Sequence, residues 1–197
     1  PLVGSSAAYV VCKRQALGRF IMRQSLAEYA DLASRTGRNF SLSIHISVRQ
    51  FAEAGFRRHL LDNLREFGVQ NNSVCLEITE STLVEDLQRV QEILWDLHDE
   101  GLSASLDDFG TGYSSLSILR HLPFGQIKID KSFVDNIIED ETARKLIENL
   151  ISIGHSYGMS VLAEGVETAQ QFELLKVCGC DFFRGSYFPR PQAAEAP

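Results

Sequence analysis

Six carboxylates and one lysine stand at or near the ends of segments that read as strands: Glu77, Glu80, Asp107, Asp108, Glu164, Glu167 and Lys128. In a β/α barrel the C-terminal ends of the strands share one rim, so residues far apart in sequence converge there. Crowded carboxylates repel one another unless protons or metal ions neutralise them. Oxygen-only ligand sets favour Mg²⁺ or Mn²⁺ over zinc. Two such ions about 3.5–4 Å apart can activate a water and stabilise both the attacking and the leaving oxygen. Acids with a strand-borne lysine therefore suit a site that holds cations and a phosphate. Taken singly, the residues leave other readings open. Asp107-Asp108 before a Gly-Thr-Gly turn (Gly110 to Gly112) also fits a solvated loop. Glu80 and Glu167 could cap helices that start just after them, and Lys128 could reach out of its strand to water.

The elements that must position these groups follow from hydrophobic spacing. Strands are expected at Ser41 to Val48, Val74 to Thr79, Leu102 to Leu106, Gln126 to Ile129, Ser160 to Ala163 and Asp181 to Phe183. Between them, Phe56, Leu60, Leu64 and Phe67 repeat on one helical face, as do Leu87, Val90, Leu94 and Leu97, with Gly68 and Gly101 just beyond. Ser114 and Ser115 suit the start of a short helix ended before Pro123. Ala143, Leu146, Ile147, Leu150 and Ile151 mark a helix beginning near Asp140, and Thr168 with Gln171 forms a capping-box pattern. An earlier helix is expected over Leu17 to Arg35, stopped by Gly37, and a short strand at Tyr9 to Cys12. Strands alternating with helices in this rhythm predict a parallel α/β fold.

Composition narrows the class. Hydrophobic content of 44% and charged content of 23% are ordinary globular values. No apolar run approaches the roughly 20 residues of a membrane span, so membrane insertion by this segment is not expected. A net charge of −7 argues against a DNA-binding surface, and an acidic chain holding an anionic ligand needs local cations. Cys12, Cys75, Cys178 and Cys180 show no CxxC or zinc spacing and read as reduced thiols of a cytoplasmic protein. At 197 residues the chain suits one domain, with 1–16 unassigned and 192–197 a tail. It is short for a full eight-unit barrel of about 250 residues, and Pro1 suggests excision from something longer.

The string LDDFGTGYSSLSILRHLPFGQIKIDKSFV from Leu106, with LEITE at Leu76 to Glu80, AEGVET at Ala163 to Thr168 and FFRGSYFPRP at Phe182 to Pro191, resembles the EAL family. Members of that family are bacterial domains that hydrolyse cyclic di-GMP. The resemblance runs from about Gly18 to Pro191 and implies a TIM-like (β/α) barrel, here incomplete at its N-terminus because only six of eight strands are counted. It also implies Mg²⁺ or Mn²⁺ held by Glu77, Asp107 and Asp108. Lys128 would orient the attacking water, and Glu164 would act on metal-bound water. Glu80 would steady the loop that contains Thr111 and Gly112.

Departures from the family pattern bear on activity. The Glu-Ala-Leu stretch that names the family does not occur in this chain, and neither does the phosphate-holding arginine that follows it. His45 stands where the pattern has a metal-binding asparagine, Arg184 replaces its glutamine and Ser186 its tyrosine. His45 and Arg184 are accordingly expected to contact metal or ligand in an altered way. The resemblance implies a cyclic-di-GMP signalling domain whose hydrolysis is weak or absent in this form, in a setting of further signalling domains, a homodimer or protein partners. A fully active phosphodiesterase completed by upstream residues, or a module that only binds protein, are the alternatives.

Overall fold

A computed structural model describes residues 4–51, 53–85, 87–110 and 119–189. Six strands form one parallel sheet in sequential order: β1 (Leu42–His45), β2 (Val74–Thr79), β3 (Ser103–Phe109), β4 (Gln126–Ile129), β5 (Ser160–Ala163) and β6 (Phe182–Phe183). Such order, with helices between strands, is the β/α barrel pattern carried through six units. The expected TIM-like fold is thus present, and the chain comprises part of it.

Alternation explains the layering. Ile44, Leu76, Ile78, Leu106, Ile127, Ile129 and Val161 point to one face and are buried beneath the helices, each such side chain contributing about 1.5–3 kcal/mol. The opposite face carries Ser43, Cys75, Ser105, Gln126 and Ser160 below the charged rim. Helix α3 (Phe56–Phe67) buries Phe56, Leu60 and Leu64, and Gly68 ends it in the left-handed conformation. Helix α5 (Leu87–Asp99) buries Val90, Leu94 and Leu97. Two short helices, α2 (Val48–Phe51) and α4 (Glu80–Glu85), follow β1 and β2 directly, and α6 (Lys131–Val134) follows β4, with the Asp130 side chain accepting from Ser132 N. Helix α7 (Glu141–Ser156) starts on an Asp140 cap and buries Ile147, Leu150 and Ile151. Helix α8 (Ala169–Val177) starts on the full Thr168–Gln171 capping box.

The N-terminal expectation is corrected. Tyr9 to Cys12 is not a strand but part of α1 (Gly4–Thr36), 33 residues long. Four apolar residues in a row do not distinguish strand from helix. The flanking Ala7, Ala8, Lys13, Arg14, Gln15 and Ala16 are mostly strong helix formers and no glycine or proline interrupts them. Farther along, α1 buries Met22 and Leu26, and Arg23 bonds Asn63 of α3 at 3.0 Å and pairs with Glu66. Among the described residues β1 therefore pairs only with β2. The expected strand from Ser41 to Val48 is shorter, since Val48 already opens α2, and the one from Leu102 to Leu106 runs on through Asp107 and Asp108 to Phe109. Thr111, Gly112, Ser114 and Ser115 lie outside the described residues.

Candidate active site

Strand pairing brings the charged residues to one rim. His45 pairs with Glu77, and Glu77 with Ser105, two residues short of Asp107. Lys128 pairs with Leu162, two short of Glu164, and Leu162 pairs with Phe182, two short of Arg184. Because each step along the rim is zero or two residues, every side chain stays on the same face. A climb of two residues for every two strands is the slip an eight-stranded barrel of shear eight requires. Barrel geometry, not sequence proximity, assembles this site.

Asp107 and Asp108 need a further device, since consecutive strand residues point to opposite faces. Leu106 pairs with Ile127 and Phe109 with Ile129, so the two acids share the single place opposite Lys128. This is a β-bulge, and Asp108 absorbs it with a φ of 56°. The bulge keeps Asp108 off the helix-covered face and returns Phe109 to that face, where it is buried.

Lys128 is the centre of the cluster. Its ammonium lies 3.0 Å from Asp107 Oδ1, 3.2 Å from Glu77 Oε2 and 3.0 Å from Glu164 Oε1, and the residue is only 2% exposed. Burial pulls the Lys128 pKa down, but hydrogen bonds to Glu164 and Asp107 and the charges of Glu164 and Glu77 outweigh it, so it lies above the ordinary lysine value. Asp107 Oδ2 faces the other way, 3.4 Å from His45 Nδ1. Arg184 Nη1 stands 3.4 Å from Glu164 Oε1, so Glu164 is shared between two cations. Glu80 opens α4, is 4% exposed, and accepts a long 3.5 Å bond from Gly110 N. Glu167 belongs elsewhere, paired with Lys131. Ligand atoms of His45, Glu77 and Asp107 all lie within 4.8 Å of one another, a spacing one divalent cation can bridge.

Asp108 is held above the usual carboxylate range, by burial first and then by the charges of Asp107, Asp130 and Glu164, with His45 opposing. Asp130, just past β4, was not among the candidate acids. Its position after the strand bearing Lys128 is the signal that could have found it. A raised carboxyl pKa means the folded chain binds that proton more tightly than the unfolded chain does. Asp108 thus costs stability at neutral pH, and the cost is relieved as pH falls through its folded titration. Asn tolerates the left-handed backbone at this position. Asp108→Asn should therefore raise the melting midpoint of metal-free protein by a few degrees at pH 7, with the gain shrinking in mild acid. A lower midpoint, measured by circular dichroism at both pH values, would contradict this.

Comparison with known proteins gives one consistent result. Residues 13–191 match the family described as EAL domain. The oxygen sensor protein DosP of Escherichia coli is 36% identical over 179 residues, which cover 91% of this chain and 22% of DosP. The structure of a PaMucR phosphodiesterase in complex with c-di-GMP superposes with a TM-score of 0.88 at 29% identity, covering 95% of this chain and 76% of that one. Klebsiella pneumoniae BlrP1, as a calcium and cy-diGMP complex, gives a TM-score of 0.83 at 26% identity over 90% of this chain and 45% of its own. The chain spans about a fifth of the length of DosP.

Proposed function

The chain belongs to the EAL domain family, and from that premise we propose that it binds cyclic di-GMP across the rim from His45 to Arg184, with weak or absent hydrolysis. The observation that carries this reading is the engagement of Lys128 with three carboxylates and of Arg184 with one of them. Positive charge already sits among the acids, on side chains that would face a phosphodiester bound at the rim. The chain would act within a cytoplasmic signalling protein, alongside further signalling domains or as a homodimer. None of the described helices is long and apolar enough to cross a membrane.

A divalent cation, Mg²⁺ or Mn²⁺, would be held by Glu77, Asp107 and Asp108, the first two of which bring ligand atoms within 4.8 Å of each other. Such an ion would lower the pKa of a bound water and neutralise charge building on the phosphate. Lys128 Nζ would orient the attacking water and stabilise the developing negative charge. Glu164 would accept the proton that the water gives up. Glu80 would hold the turn after the bulge through Gly110. Two features slow this sequence. A guanidinium beside Glu164 would repel a second cation, and Glu164, already engaged by Lys128 and Arg184, is less free to turn toward a water.

Arg184 would instead serve the ligand, forking onto a phosphate. A charge-assisted pair of this kind is worth roughly 1.5–3 kcal/mol. Calorimetric titration with cyclic di-GMP should show binding that persists in EDTA and weakens about ten- to a hundredfold in Arg184→Ala. Binding abolished by EDTA but indifferent to that substitution would overturn the role given to Arg184. Absence of binding with and without metal would overturn the functional reading itself. Turnover of about one per second or faster with Mn²⁺ would refute slow hydrolysis.

A further inference from the structure

The rim contains a donor set that an all-oxygen cation site lacks. His45 ends β1 level with Glu77, so strand alternation puts its imidazole on the charged face. Nδ1 lies 3.4 Å from Asp107 Oδ2. Asp107 has divided its oxygens: Oδ1 accepts from Lys128 Nζ at 3.0 Å and from Asp108 N at 3.1 Å, which fixes the carboxylate and leaves Oδ2 turned toward the imidazole. Glu77 is oriented in the same manner by Lys128, at 3.2 Å from Oε2. Lys128 thus stands behind the two acids as the outer partner that fixes ligand carboxylates in built metal sites. On the same face, Ser105 pairs in register with Glu77 and is fully buried with its hydroxyl unpartnered.

We propose that His45, Glu77 and Asp107 form a divalent-cation site selective for zinc-class ions over magnesium, with His45 as the residue that sets the selectivity. One imidazole and two carboxylates are three protein ligands, which with a water complete the four-coordinate geometry zinc takes in open sites. Magnesium is a hard ion that prefers six oxygens and holds its waters, so the nitrogen adds little to its binding. Affinity for a nitrogen-containing site rises from manganese toward zinc, which puts manganese between the two. The inference rests on reading the rim as a cation site, but it makes no use of cyclic di-GMP. Its failure and the failure of dinucleotide binding are therefore separately visible.

The test is direct titration of the metal-free, reduced protein with ZnCl₂, MnCl₂ and MgCl₂ alone. Zinc should bind at least about a hundredfold more tightly than magnesium. In His45→Asn, zinc binding should weaken at least about tenfold, while magnesium, offered an amide oxygen in place of the ring nitrogen, should bind no more weakly than in the parent. His45 has a side chain more than half exposed, so this variant is expected to fold normally. Pulsed electron paramagnetic resonance of bound Mn²⁺ gives a second readout: coupling to a directly bound imidazole nitrogen should be present in the parent and lost in the variant. Unchanged zinc affinity in His45→Asn, or magnesium binding as tight as zinc, would overturn the assignment. So would a cobalt complex with an intense near-ultraviolet thiolate band, since that would place the ion on a cysteine.

Discussion

Replacing Lys128 with methionine should cost the metal-free protein about 3–5 kcal/mol of stability, the range for removing one partner of a buried ion pair. Methionine matches the length of the aliphatic stem but leaves Glu77, Asp107 and Glu164 facing one another without a cation. The cost should fall toward the lower end of that range, because the Glu164 side chain is 24% exposed and can draw on water. In the parent, the raised Lys128 pKa means that the stabilisation is complete through neutral pH. It is lost only as pH climbs past about 10.4, the unfolded value, and through the higher folded one.

A divalent cation changes the outcome in an informative way. If lysine and metal neutralise the same carboxylates, saturating Mn²⁺ should recover part of the loss in Lys128→Met through its preferential binding to the folded state. Urea unfolding of both proteins with and without Mn²⁺ measures this. Equal destabilisation under the two conditions would show that metal and lysine act on different groups. Arginine is not expected to rescue the variant, because a planar guanidinium needs more room than an ammonium enclosed by three carboxylates. Hydrolysis of cyclic di-GMP, whatever its level in the parent, should fall below detection.

Much of this arrangement can be read in the sequence, and the reasons for the rest are specific. The strands at Val74–Thr79, Gln126–Ile129 and Ser160–Ala163 are recognisable because their outward residues must be apolar to meet the helices. Asp107 and Asp108 are recognisable as acids near a strand end, yet the bulge that lets both face the rim is not. It is set by the pairing of β3 with β4, and nothing local in Leu-Asp-Asp-Phe announces a register shift. Glu164 and Arg184 lie 20 residues apart, and their 3.4 Å contact depends on β5 and β6 being neighbours in register. The helix over Tyr9 to Cys12 was hidden for the opposite reason: a short apolar run carries too little periodicity to choose between two structures.

Gly185→Ala should be severely damaging for a reason that lies wholly in the backbone. A Cβ at Gly185 would overlap the carbonyl oxygen, nitrogen and carbonyl carbon of Val166. None of these is the tip of a flexible side chain, so the loop must move. That loop is tied to the segment after β6 by two bonds, Val166 N to Arg184 O and Tyr187 N to Val166 O, each 3.0 Å. Separating them disturbs Glu164 and Arg184 together, since each lies within two residues of the contact. Overpacking typically costs 1–3 kcal/mol, and a clash with backbone belongs at or above the top of that range, so a loss of about 3 kcal/mol is expected. Binding of cyclic di-GMP should weaken at least as much as in Arg184→Ala, because the guanidinium and its carboxylate partner are both displaced. Gly125→Ala is the control: that glycine has no positive φ and nothing within 4 Å of its added Cβ. There the restricted unfolded chain should make alanine neutral or slightly stabilising. Urea unfolding and dinucleotide titration of the two variants should diverge sharply. Similar, small effects in both would mean that the turn after β6 accommodates a side chain and does not hold Arg184 against Glu164.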